Sequence, residues 1–258
     1  MGLKKEKAAM MLAAKKAGEV LLRYHGKKVS IHEKSNNSLV SKADLEANNV
    51  IIKIIKKNFP AHSILSEESG LEDNKSQYKW VIDPLDGTHN FLHGLPIFGT
   101  SIALEYNSKV VLGVLHFPAL KLTAFAEKGK GAFMNGKRIF VSGRRNLNYS
   151  FLLTDFNYSE RKNWVKIFSS LSSTNIDVRN LGSAVYQLML VASGHAEAYA
   201  VIFTNEWDVA AGILLVGEAG GRVTDLSGGR WDFEKRNYLL SNCLLHEKIL
   251  RLAKGISK

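Results

Sequence analysis

Cysteine is almost missing from this chain: Cys243 stands alone among 258 residues. No intramolecular disulfide and no multi-cysteine zinc site can form. Long apolar runs are missing too, since no stretch approaches the roughly 18 residues that span a bilayer. The N-terminus, Met1-Gly2-Leu3-Lys4-Lys5-Glu6, lacks the apolar core and cleavage site of a secretory signal. Glu6 stands where a myristoylation signal wants Ser or Thr. There is no internal repeat and no low-complexity linker, which excludes a disordered, collagen-like or coiled-coil chain. The expectation is a soluble cytoplasmic protein with no membrane partner.

Acidic residues are also in the minority, 24 against 35 Lys and Arg, for a net charge of +11. Such a balance suits nucleic acid, an anionic membrane or an anionic small substrate. The lysines come singly or in pairs, as at Lys4-Lys5, Lys27-Lys28 and Lys56-Lys57, with no dense basic run interleaved with aromatics. A solvated surface is the preferred reading, and nucleic acid is kept open behind it. With 45% hydrophobic and 23% charged residues the composition is that of an ordinary globular protein. The length fits a single domain over 1–258, with a subdomain seam expected near 143–148.

Periodicity predicts the elements. Ala8, Met11, Leu12, Lys15, Val20 and Leu21 fall near helical spacing, with Gly26 as the stop. A second helix runs from about Asp44 to Asn58 on a stripe of Leu45, Val50, Ile51, Ile54 and Ile55, closed by Pro60. The polar stretch 30–42 between them reads as a loop or hairpin. A short strand at Ile64-Leu65 and an apolar run Trp80-Val81-Ile82 ending at Asp83 come next. Strands over 100–106, 110–117 and 122–126 form an antiparallel meander. A glycine-rich turn over 129–136 and a strand over 139–141 follow. The second half alternates: strands near 151–154, 176–178, 196–200, 223–225 and 238–240, and helices near 160–169, 183–192, 209–219 and 246–253. Layered helices and sheets are the expected architecture.

Acids gather where strands or helices begin and end: Asp44, Glu67-Glu68, Asp83 with Asp86, and Asp208. Asp83-Pro84-Leu85-Asp86-Gly87-Thr88 puts two carboxylates three residues apart on a turn, where they repel. A divalent cation would relieve that repulsion, and hard cations such as Mg²⁺ prefer carboxylate, carbonyl and water oxygens. The amides of Gly87 and Thr88 would then suit an anion, as at a helix N-terminus. The ordinary alternatives are an Asp-Pro and Asp-Gly turn for the first pair, a solvated surface for Glu67-Glu68, and a helix cap for Asp208. A polyacidic set inside a chain of net charge +11 is hard to ascribe to surface solvation.

Several segments resemble one known family. Ile-Asp-Pro-Leu-Asp-Gly-Thr-His-Asn-Phe at 82–91 and Trp-Asp-Val-Ala-Ala-Gly-Ile-Leu-Leu-Val-Gly-Glu-Ala-Gly-Gly at 207–221 resemble the two signatures of the inositol monophosphatase family. Leu-Ser-Glu-Glu-Ser at 65–69 resembles its glutamate pair, and Val-Arg-Asn-Leu-Gly-Ser-Ala at 178–184 its substrate-side loop. Order and spacing match from about residue 5 to 253. The resemblance implies an α+β fold, the layered αβαβα sandwich of the inositol monophosphatase and fructose-1,6-bisphosphatase type. It also implies a homodimer, lithium sensitivity and a Mg²⁺-dependent phosphomonoesterase.

Its roles carry over by position. Glu67, Asp83 and the Leu85 carbonyl would hold a first Mg²⁺, and Asp83, Asp86 and Asp208 a second. Glu67, through waters, would serve a weaker third ion, with Glu68 behind it. Thr88 would bind the attacking water and Asp44 would orient the Thr88 hydroxyl. Gly87 and Thr88 amides would bind phosphate oxygens, and Gly182, Ser183 and Ala184 would line the alcohol side. His89 invites a general-acid role, but a surface histidine is the preferred reading.

One position departs from the family: Val201 stands where inositol-specific members carry a glutamate that binds a sugar hydroxyl. Small polyol or sugar monophosphates such as inositol-1-phosphate are the leading substrate class. Fructose-1,6-bisphosphate, histidinol phosphate, NADP and 3'-phosphoadenosine 5'-phosphate are alternatives. A binding protein that contacts RNA or the transcription machinery is a reading of a different class.

Overall fold

The structure, a computed structural model, describes residues 2–27, 31–33, 39–155, 165, 169 and 174–253. Helix α1 (Lys4–Tyr24) packs on α2 (Lys42–Asn58), and both cover one face of a large sheet. The buried face of α1 is only partly the expected one. Val20 and Leu21 are buried as expected, but Ala9, Met10, Ala13, Ala14, Ala17 and Gly18 complete the face, while Leu12 is 47% exposed. The small residues decide this, because they let backbones approach where a larger side chain would collide. A Cβ on Gly18 would stand 2.5 Å from His116 Nε2. In α2 the same logic buries Ala43 and Ala47 with Ile51 and Ile55 and leaves Leu45 outside. Short strands β1 (Ile31–Glu33) and β2 (Leu39–Ser41) pair antiparallel between the helices.

Eight strands form the large sheet: β3 (Ser63–Ser66), β4 (Gly70–Glu72), β5 (Tyr78–Asp86), β6 (Gly99–Tyr106), β7 (Lys109–Phe117), β8 (Leu122–Glu127), β9 (Gly131–Met134) and β10 (Lys137–Ile139). Their order is β10-β9-β8-β7-β6-β5-β3-β4, antiparallel except where β3 lies parallel to β5. The expected meander is there and is longer than its sequence pattern suggests. The glycine-rich stretch read as a turn contains β9, because Gly131 and Gly136 take positive φ at its borders and leave Ala132-Phe133 to pair. Strand β5 does not stop at Asp83. It continues to Asp86 through a bulge, where Asp83 opposes Ser101 and Asp86 opposes Gly99. A bulge bends a strand and re-aims its side chains. Here that local irregularity carries both aspartates.

A one-turn helix, α3 (Thr88–Leu92), joins β5 to β6, and after β10 the chain builds a second, five-stranded sheet. It comprises β11 (Phe151–Thr154), β12 (Asp177–Arg179), β13 (Ala198–Ile202), β14 (Arg222–Asp225) and β15 (Asn237–Ser241), in the order β12-β11-β13-β15-β14. Residues 143–148 lie between the last strand of the first sheet and the first strand of the second. Helices α4 (Ala184–Ala192) and α5 (Glu206–Glu218) lie between the sheets, with Val81 and Leu115 on one side and Tyr199, Val201 and Leu240 on the other. Gly113 permits the closest approach, since a Cβ there would meet the Ala211 backbone at 3.0 Å. Helix α6 (His246–Ala253) covers the outer face of the second sheet through Leu245, Ile249 and Leu250. The layers therefore run α, β, α, β, α, the α+β sandwich that the resemblance implies. The helix expected over 160–169 lies outside the described residues, two isolated positions apart. Among the described residues no helix is long and apolar enough to cross a membrane.

Candidate active site

Period-two alternation along β5 sends Trp80 and Ile82 toward α1 and α2, and Val81 toward α4 and α5. The strand then enters its bulge. Asp83 is 2% exposed, and its Oδ1 accepts the Leu85 N–H at 3.0 Å. The Pro84 carbonyl accepts from Thr100 Oγ1 at 3.0 Å, which locks the turn. Gly87 follows with φ +80, and a Cβ there would lie 2.9 Å from the Ile97 carbonyl. Only glycine fits that corner. Thr88 Oγ1 lies 3.0 Å from the Leu85 carbonyl and 3.4 Å from Asp44 Oδ1.

Asp44 and Asp208 have the same local origin. Each is the third residue of its helix and closes a capping arrangement. Asp44 Oδ2 accepts from the Ser41 N–H (2.8 Å) and hydroxyl, and Asp208 Oδ2 accepts from Asn205 N–H (2.8 Å) and Thr204 Oγ1 (2.9 Å). The cap reading of Asp208 is thus correct as far as it goes. One oxygen caps the helix, and the carboxylate as a whole also acts on Asp83. Glu67, half-buried, follows β3, and its N–H donates to the Ile82 carbonyl at 3.1 Å. Asp86 Oδ2 receives the Ser183 hydroxyl, and Oδ1 the Ala184 N–H at 3.1 Å. Asn90 Nδ2 donates to the Ile97 and Leu181 carbonyls at 2.9 and 2.7 Å, tying the 82–91 segment to the loop of Gly182. His89 is exposed, as its surface reading holds.

The electrostatics bind these residues into one group. Burial, then Glu67, Asp86, Asp208 and Asp44 in turn, push Asp83 well above the usual carboxylate range. Burial and Asp208 do the same to Asp86, against the Ser183 hydrogen bond. Asp208 is pushed up to about 7, by burial and then by Glu67. Burial also raises Asp44. An all-oxygen set of mutually repelling acids matches the donor chemistry of a hard divalent cation. Among the described residues no three acidic, His or Cys side chains form a finished metal cage.

One member escaped sequence reading. Asp155 follows β11, receives Gln187 Nε2 at 2.7 Å and the Tyr199 hydroxyl, and raises both Asp86 and Asp208. Its signal, an acid at the end of an apolar strand, is the one that singles out Asp83. Asp86, Asp155, Gly182, Ser183, Val201 and Asp208 line a cleft of about 360 Å³.

A second acidic pair lies apart from this group. Glu105, 3% exposed, shares Lys79 with Glu206, at 3.0 and 2.7 Å. Burial, then Glu206, lift the Glu105 carboxyl to about 7. A carboxyl raised by folding is protonated in both states at low pH, so its penalty is absent there. The penalty grows as pH climbs from the unfolded value through the folded one. We expect Glu105→Gln, whose amide supplies the missing hydrogen, to match the wild type at pH 4 and to exceed it by about 1–3 kcal/mol at pH 8. Denaturant unfolding of both proteins across that range measures the difference, and parallel curves would contradict it.

A layered αβαβα sandwich whose carboxylates come together from the start of α2, the end of β3, the bulge of β5 and the start of α5 defines a class of phosphatase-type hydrolases. The comparisons make the class specific. The chain matches the inositol monophosphatase family over residues 4–258. It is 37% identical over 243 residues to a fructose-1,6-bisphosphatase/inositol-1-monophosphatase of Thermotoga maritima, covering 94% of this chain and 93% of that one. It is 36% identical to the Nus factor SuhB of Pseudomonas aeruginosa, with 92% of each covered. The crystal structure of the extragenic suppressor protein suhB of Bartonella henselae superposes with a TM-score of 0.93 at 36% identity, over 97% of this chain and 99% of that one. This chain belongs to the inositol monophosphatase family.

Proposed function

We propose that the protein is a Mg²⁺-dependent phosphomonoesterase acting on small polyol or sugar monophosphates. The observation that carries the reading is the convergence of Asp44, Glu67, Asp83, Asp86 and Asp208, from four separate stretches of chain, on one buried and electrostatically strained group. In this reading Glu67, Asp83, Asp86, Asp208 and the Leu85 carbonyl hold two divalent ions, with Glu67 and water serving a weaker third. When bound, the ions supply positive charge against the phosphate dianion and acidify the attacking water. The chain's own groups do the positioning. Thr88 Oγ1 orients the water, and Asp44 turns the Thr88 hydroxyl. The first amides after the bulge, Gly87 and Thr88, bind the phosphate oxygens. Water adds to phosphorus, the ester P–O bond breaks, and the alcohol leaves with a proton toward the cleft of Gly182, Ser183 and Ala184. A panel of phosphate esters assayed with Mg²⁺, with chelator, and with Li⁺ tests this. We expect turnover with Mg²⁺ alone, loss on chelation and inhibition by Li⁺. A homodimer in solution belongs to the same reading and is checked by light scattering.

Val201 borders the cleft, but its side chain is 2% exposed and packs in the core between the sheets, so this position gives the alcohol no hydrogen-bond acceptor. A lost charged hydrogen-bond partner costs about 1.5–3 kcal/mol, roughly 10- to 150-fold in affinity. We expect weak discrimination among polyols. Val201→Glu is expected to raise kcat/KM for inositol-1-phosphate relative to glycerol-2-phosphate. A wild type already selective for inositol-1-phosphate, with that ratio unmoved by the substitution, would sink the idea.

A binding role is a second reading, favoured by relatives named Nus factor and by the charge of +11. Salt-sensitive RNA binding that survives Asp83→Asn would support it.

A further inference from the structure

The corner joining β13 to α5 holds a conformation that its sequence does not favour. Phe203 takes φ +62, in the left-handed region where an aromatic side chain is strained. Neighbouring contacts enforce this. The Phe203 N–H donates to Asn237 Oδ1 at 2.9 Å, and the Thr204 N–H to the Arg236 carbonyl at 3.0 Å. The Arg236 guanidinium sits over the Phe203 ring, 4.1 Å from its centroid. The same guanidinium donates to the Thr204 carbonyl at 3.0 Å and to Asn205 Oδ1 at 2.7 Å. Thr204 and Asn205 are the residues that hold Asp208. The ring is therefore fixed to the frame of the candidate active site.

The ring has no core to fill, being 50% exposed. It lines the same cleft as Val201, Ser183 and Asp208. A glycine would adopt this backbone without strain, and a half-exposed ring stacked on the Arg236 guanidinium recovers little of that cost by burial. Strain held in place by surrounding contacts at a site's edge points to a role in the site. Phe203 thus presents an exposed apolar ring at the cleft that the proposed reading gives to the leaving alcohol, beside the buried Val201. Aromatic rings pair with one another in offset-stacked or edge-to-face geometry, for about 0.5–1.5 kcal/mol beyond the area they bury.

We propose that Phe203 is a specificity-determining residue that favours phosphomonoesters whose alcohol carries an aromatic ring. The inference rests on the phosphomonoesterase reading and deepens it. The test compares benzyl phosphate with propyl phosphate, two primary-alcohol esters that differ chiefly in the ring. The wild type should show kcat/KM at least tenfold higher for benzyl phosphate, mainly through a lower KM. Phe203→Gly should collapse that ratio toward one, whatever it does to the rate common to both esters. Its thermal midpoint should be equal or higher, because the strain is gone. Phe203→Tyr, which keeps the ring, should keep the ratio. A wild-type ratio near one, or a ratio that survives Phe203→Gly, overturns the proposal while leaving the phosphatase reading intact. Failure of the wild type to hydrolyse either ester with Mg²⁺ overturns both, and the two failures are thereby distinguished.

Discussion

Asp83→Asn is expected to lower turnover by roughly 10³-fold or more while leaving a folded protein that melts no lower than the metal-free wild type. The reason is its position. Asp83 is proposed to serve both ions, and two-ion charge stabilisation is worth several kcal/mol in the transition state, with each 1.36 kcal/mol a factor of ten. The side chain also meets repulsion from Glu67, Asp86, Asp208 and Asp44. An amide keeps the shape and the oxygen that accepts the Leu85 N–H, and it removes one charge from that group. Metal-free stability should therefore hold or rise, and added Mg²⁺ should stabilise the variant less than the wild type. Steady-state kinetics and thermal melts with and without Mg²⁺ measure both halves. Near-normal activity would refute the metal assignment, and a collapsed melt would show that Asp83 is structural.

Thr88→Ala and Asp44→Asn are each expected to lower kcat by about 10²–10⁴-fold with little change in KM, the range of a positioned proton-handling group. Thr88 Oγ1 sits between the Leu85 carbonyl and Asp44 Oδ1. Without a carboxylate at position 44 the hydroxyl turns to the Leu85 carbonyl and is lost to the water. The two residues act as one unit, so the double variant should fall little below the worse single one. Fully multiplicative losses would refute the pairing. Asp44 also closes the cap of α2 through Ser41, so unfolding of Asp44→Asn is measured beside its kinetics to separate the helix cap from the positioning of Thr88.

The two halves of the fold were legible to different degrees. The meander from β5 to β8 shows in the sequence because each strand alternates or is wholly apolar and each turn is short. The helix α6 was legible to the residue, since its apolar spacing is clean. Strand β9 was hidden by its flanking glycines. The buried face of α1 was partly misjudged because burial there follows smallness, and alanine carries little hydropathy signal. For the candidate site, each acid could be seen from its place at a strand or helix end. Asp155 obeys the same rule at the end of β11.

The amino-acid sequence by itself determined the family, the order of elements and the acidic residue types, because these depend on local spacing and motif. It also exposed Val201 as a departure. Only the tertiary structure decided which oxygens face one another. It showed that Asp44 and Asp208 cap their helices and join the acidic group at once, that Ser183 is turned onto Asp86, and that Phe203 is held in a left-handed corner beside Val201. Those relations join residues far apart in the chain, 97 positions in the case of Ser183 and Asp86. They arise from the stacking of two sheets across α4 and α5, and no local periodicity encodes the distance between side chains brought together by that packing.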